Sequence, residues 1–95
     1  MHVISKQKIV TFAHKHPDSK TALFEWYKLI KHLNFQNLVE LKSIFPSADL
    51  VGRRIVFNIS GNKYRLIARV NFLYKKVFIL YILTHAEYNK NQWKE

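Results

Sequence analysis

Arginine, histidine and tyrosine recur in one stretch of this sequence, Val56 to Tyr88, at spacings suited to phosphate chemistry; it reads VFNISGNKYRLIARVNFLYKKVFILYILTHAEY. Arg65 and Arg69 are four residues apart. On a strand rising ~3.3 Å per residue they would share one face about 13 Å apart, a reach suited to successive phosphates of one nucleic-acid strand. His85 and Tyr88 fall at i and i+3, neighbours on one face of a helix. Together these are parts for cutting RNA without a metal or cofactor. The 2′-hydroxyl attacks the adjacent phosphorus, so a protein must remove one proton, donate another and hold negative charge on the transition state. Arginine suits the last task because its guanidinium stays charged and its fork matches phosphate oxygens. Histidine transfers protons near neutrality, and tyrosine donates a hydrogen bond or proton, stacks a base or orients the histidine. A plainer reading competes. Basic side chains on an exposed strand blunt edge pairing, and a histidine beside an aromatic is commonly a packed or surface residue.

The elements that must position these groups follow from periodicity. In the middle run Lys63, Arg65, Ile67 and Arg69 alternate with Tyr64, Leu66, Ala68 and Val70, which predicts a strand with one basic outer face and one core face. The turn signal Ser60-Gly61-Asn62 joins it to the run before, and a third apolar run spans Val77 to Leu83. Thr84-His85-Ala86-Glu87 is a capping box opening a terminal helix, which makes Glu87 structural and not catalytic.

Upstream, His2-Val3-Ile4 reads as a short strand. Ser5 is expected to cap a helix through Ile9, Phe12 and Ala13 that Pro17 ends. Asp18 or Ser19 is expected to cap a second helix, whose stripe of Leu23, Trp26, Tyr27, Ile30 and Leu33 reads as core packing and not as a base-stacking platform. Asn37 with Glu40 predicts a capping box for a helix through Leu38, Leu41 and Ile44 that stops at Pro46. Pro46-Ser47-Ala48-Asp49 reads as a turn, and Gly52 supplies a backbone angle forbidden to other residues before a strand from Arg53. The order β, α, α, α, β, β, β, α predicts an α+β fold: helices packed on one face of a twisted antiparallel meander.

At 95 residues the chain is expected to form one domain over residues 1–95, and 48% apolar with 15% aromatic residues argues against disorder. Sixteen Lys and Arg against six acidic residues give +10. Such a field favours polyanions: nucleic acid, an anionic membrane or an acidic protein. With no cysteine, disulfides and thiolate metal sites are excluded. The N-terminal segment lacks the apolar core of a signal peptide, the longest apolar run is too short to span a bilayer, and the basic residues are scattered, so the expected setting is the cytoplasm, with no membrane partner. His14 and His16 at i and i+2 do not face each other, which leaves no expected metal site. Two glycines are too few for a glycine-rich nucleotide loop, and no cofactor is expected.

Segments throughout the chain resemble the HigB family of type II toxin–antitoxin toxins, a branch of the RelE superfamily of messenger-RNA interferases. They are Val3-Ile4-Ser5-Lys6, His16-Pro17-Asp18, Trp26-Tyr27, Phe45-Pro46-Ser47-Ala48-Asp49, Val56-Phe57-Asn58-Ile59, Gly61-Asn62-Lys63-Tyr64-Arg65-Leu66 and Thr84-His85-Ala86-Glu87-Tyr88. The resemblance implies a compact RelE-like fold, ribosome-dependent cleavage of translated messenger RNA, and neutralisation by a HigA-like helix-turn-helix antitoxin. It maps the Y-R-L strand motif onto Tyr64-Arg65-Leu66, with Arg65 as phosphate ligand, and points to His85 and Tyr88 for proton transfer and base stacking. Lys63, Arg69 and Lys90 are the expected RNA contacts. Asn89 stands where aspartate is commoner in that family. Two other readings stay open: a non-catalytic RNA- or ribosome-binding module that blocks translation, and a subunit whose positive field serves an acidic protein partner.

Overall fold

The computed structural model describes residues 1–94 of the chain. Five strands form one sheet in the order β1-β5-β4-β3-β2: β1 His2–Ile4, β2 Asp49–Val51, β3 Arg54–Ile59, β4 Tyr64–Asn71 and β5 Lys76–Thr84. Strands β2 to β5 are the expected antiparallel meander, but β1 lies parallel to β5, so the sheet is mixed. The helices are α1 Gln7–Lys15, α2 Lys20–His32, α3 Leu38–Ile44 and α4 His85–Asn89, with a 3₁₀ turn at Pro17–Ser19.

Helices α1 to α3 bury their apolar stripes on one sheet face. Ile9, Leu23, Trp26, Ile30 and Leu41 meet Phe57, Leu66 and Ile79 there, and Phe57 takes Trp26 and Phe45 edge-on at 5.3 and 5.2 Å. The α2 stripe is therefore core, as expected. The opposite face is not simply solvated: Val56, Ile67 and Trp93 form a second buried cluster under α4 and the residues after it.

Several local expectations are corrected. Ser5 does not cap α1 with its side chain; it sits at φ 76° and offers its carbonyl to the Lys8 amide at 3.0 Å. Neither Asp18 nor Ser19 caps α2, because the Ser19 hydroxyl donates back to the His16 carbonyl at 2.7 Å and the 3₁₀ turn leads directly into the helix. Asn37 accepts the Glu40 amide as expected, but Glu40 reaches one residue further back, to the Gln36 amide at 2.9 Å. The segment read as a turn ends in strand β2, whose Val51 pairs with Arg54 across a two-residue connection. Gly52, at φ 63°, makes that tight reversal possible, and β3 begins at Arg54, one residue later than expected.

Ile67 pairs with Tyr81 while Ala68 pairs with Ile79, so Leu80 is an extra residue on β5. This bulge flips the alternation midway. As a result Phe78, Tyr81 and Leu83 all lie across from the outward residues Arg69, Ile67 and Arg65.

Candidate active site

Arg65 stands near the start of β4, flanked in register by Asn58 and Leu83. It was expected on an open basic face, yet only 8% of it is exposed. Its guanidinium donates to the Tyr64 carbonyl at 3.2 Å and lies 3.5 Å from the Asn62 side-chain oxygen. The Tyr88 ring covers it, with the guanidinium carbon 5.1 Å from the ring centroid. Among the described residues no carboxylate pairs with it. A near-buried cation held by neutral groups, with further N–H donors in its fork, is prepared for an anion.

Tyr88 reaches Arg65 because α4 starts where β5 ends. Thr84 accepts the Glu87 amide at 3.2 Å, and Glu87 accepts the Thr84 amide at 2.9 Å, completing the expected capping box. The bond from the Thr84 backbone holds the Glu87 carboxyl below its ordinary value. Glu87 is thus structural, as its spacing predicted. His85, the first residue of this helix, is exposed, and its Nδ1 lies 3.1 Å from the Asn89 amide nitrogen. The contact ties the imidazole to the last residue of α4.

Lys63 is not brought beside Arg65. It lies in the turn before β4, where strand alternation does not apply, and its ammonium pairs with Asp18. The Tyr64 hydroxyl donates to the same carboxylate at 2.7 Å. Hydrogen bonds from Lys63 and then Tyr64 hold Asp18 below its ordinary value, and the bond to Asp18 raises both Lys63 and Tyr64. His16, weighed in the sequence with His14 as a metal ligand and set aside, packs its ring 4.4 Å from Phe12 and 5.4 Å from Tyr64. Arg69 is exposed near the far end of β4, opposite Phe78, and Lys90 lines a cleft with Tyr81, Leu83 and Trp93. Among the described residues, no three His, Asp or Glu side chains gather as a metal-binding group.

Two residues at this site were not foreseen. Trp93, 2% exposed, stacks on Tyr88 at 4.9 Å with the ring planes 11° apart, and its indole N–H donates to the Tyr88 carbonyl at 2.8 Å. Arg54 donates to the Trp93 carbonyl. The available signal was a lone large aromatic in the polar run Asn89-Lys90-Asn91-Gln92-Trp93-Lys94.

Residues 19–91 match the family described as HigB_toxin, the RelE-like toxic component of a toxin–antitoxin system. The chain is 38% identical over 93 residues to the mRNA interferase HigB of Escherichia coli O6:H1, covering 95% of this chain and 90% of that protein. It is 35% identical over 92 residues to the mRNA interferase HigB of Shigella flexneri, covering 94% of this chain and 88% of that protein. With the family match spanning more than half of the sequence and these relatives nearly all of it, the chain belongs to the HigB family of RelE-like toxins.

Proposed function

We propose that this toxin, acting as one domain in the cytoplasm, is a metal-independent endoribonuclease that cuts messenger RNA during translation on the ribosome. The observation that carries this reading is Arg65: a guanidinium 8% exposed, covered by the Tyr88 ring and paired with no carboxylate among the described residues. Such a group gains most when an anion arrives, and a phosphorane-like transition state carries more charge than the phosphate before it, so the gain is largest where it lowers the barrier. RNA supplies its own nucleophile. His85 and Tyr88, both on α4, divide the proton transfers. The indole on Tyr88 already occupies a ring face, so the phenol hydroxyl, more than base stacking, is its contribution. Arg69 and Lys90 contact the RNA backbone, whereas Lys63 reaches RNA only by leaving Asp18. A HigA-like helix-turn-helix antitoxin neutralises the toxin.

The test compares wild type with Arg65→Ala and His85→Ala on a translated message and on the same RNA without ribosomes. Cuts inside the reading frame, restricted to translated RNA and lost in both variants, are expected. Efficient cutting of naked RNA refutes the ribosome requirement. Growth inhibition that survives His85→Ala but not charge reversal at Arg65 and Arg69 replaces the nuclease with a non-catalytic ribosome-binding module.

A further inference from the structure

We infer that Trp93, clamped by Arg54, is a positioning residue that fixes Tyr88 over Arg65, so that the segment after α4 is part of the site. This rests on the reading of Arg65 and Tyr88 above. Trp93 lies two residues beyond the end of the family match at residue 91.

The local geometry is specific. Lys90 closes α4, and Asn91, at φ 61°, reverses the chain. The Asn91 amide donates to the Tyr88 carbonyl at 3.1 Å, and the reversal brings the Trp93 indole N–H to the same oxygen at 2.8 Å. The indole therefore grips Tyr88 twice, through its backbone and through the near-parallel stack on its ring. Beneath it lie Val56 and Ile67, side chains of strands β3 and β4. Arg54 on β3 fastens the Trp93 carbonyl to the sheet that also carries Arg65. Helix α4 is five residues long and buries none of its own side chains completely, so its cap fixes where it starts but not how the Tyr88 ring lies. The stack with Trp93 supplies that restraint. A tryptophan that only covered Val56 and Ile67 would need neither the hydrogen bond to Tyr88 nor the parallel ring.

The experiment measures single-turnover cleavage of a ribosome-bound message by Trp93→Ala, Trp93→Phe, Tyr88→Ala and the double variant Trp93→Ala/Tyr88→Ala. Each protein is first shown to melt cooperatively above the assay temperature. Trp93→Ala is expected to slow cleavage at saturating toxin about ten- to hundredfold, as misplacing a reacting group does, while half-saturation moves less than about threefold. Trp93→Phe, which keeps the stack, recovers most of the rate. Because Trp93 acts through Tyr88, the double variant is no slower than Tyr88→Ala. The Arg65 side-chain N–H resonance, set by the Tyr88 ring, shifts in Trp93→Ala as it does in Tyr88→Ala. Full activity of Trp93→Ala beside a crippled Tyr88→Ala, or costs that multiply in the double variant, overturns this inference alone. Full activity of Tyr88→Ala overturns the site reading and this inference with it.

Discussion

The capping box that opens α4 sets how firmly His85 and Tyr88 are held, and Thr84→Ala tests it. A five-residue helix cannot persist on propensity alone, since isolated helices shorter than about 12 residues are marginal in water. Removing the Thr84 hydroxyl orphans the Glu87 amide, while the Glu87 carboxylate keeps its bond to the Thr84 amide. Losing an N-cap acceptor costs about 1 kcal/mol, which raises the open population of α4 roughly fivefold. Hydrogen exchange at the Glu87 and Thr84 amides reads this directly: both should exchange about five times faster in Thr84→Ala, while Thr84→Ser, which keeps the acceptor, stays near wild type. The pH dependence has a fixed sign. Because folding lowers the Glu87 carboxyl, its contribution is complete above the ordinary value of 4.5 and is lost as pH falls through the lower folded value. Protection of the Thr84 amide should therefore fall in acid before the core opens. Unchanged exchange in Thr84→Ala would refute the reasoning and assign the hold on α4 to the Glu87 carboxylate and the contacts of Tyr88 with Trp93.

Three further outcomes follow from the same geometry. Arg69→Ala should lower the slope of log affinity for ribosomal or message RNA against log salt by about 1, whereas Lys63→Met should leave it nearly unchanged because that ammonium is held by Asp18; equal effects would contradict the placement of Lys63. Ile67→Ala should cost about 2–5 kcal/mol in chemical denaturation, because Ile67 is fully buried on the face that alternation assigns to solvent; a cost below about 0.5 kcal/mol would show that face to be open. Asp18→Asn should flatten the acid limb of the stability curve, since a lowered carboxyl stabilises above its ordinary value of 3.8 and loses that contribution as pH falls; an unchanged limb in thermal melts would sink the assignment.

What could be read from the sequence was whatever a local period encodes. The stripe of α2 and the Thr84–Glu87 box carry their geometry in spacing alone, and each appears where spacing put it, whereas alternation placed β4 as a strand but not the burial of Arg65 and Ile67 on its second face. Arg65, His85 and Tyr88 could be nominated the same way, because residue type and motif point to them. What could not be read depends on partners distant in sequence. Strand β2 is three residues long and exists through its pairing with β3, so its turn-rich sequence concealed it. The parallel seating of β1 on β5 joins His2 to Lys76, which no local pattern encodes. The Leu80 bulge reverses the face of half of β5, and Lys63 crosses to Asp18 because the turn releases it from strand alternation. Burial of Arg65 draws on the Tyr88 ring from α4, which Trp93 stacks against, partners more than twenty residues away in sequence.

That distinction also shows how the +10 charge is used. Several cations serve the fold: Lys63 holds Asp18, Lys8 bonds the Leu80 carbonyl at the bulge, Lys75 bonds the Phe35 carbonyl and Arg54 bonds the Trp93 carbonyl. Composition alone makes every one of them an RNA contact. The fold instead gives these cations an oxygen partner, and it holds Arg65 between the Tyr64 carbonyl, the Asn62 side chain and the Tyr88 ring with N–H donors of its fork to spare. Arg65 differs from the surface lysines in what it gives up. An exposed lysine meeting RNA exchanges water for phosphate and gains little beyond released counterions. Arg65 has already lost most of its water on folding, so it meets a phosphate with the desolvation cost paid and the aromatic cover in place. In the proposed reaction a single arginine in that position would be worth more to the transition state than the remaining surface charge, whose part would be to bring RNA within its reach.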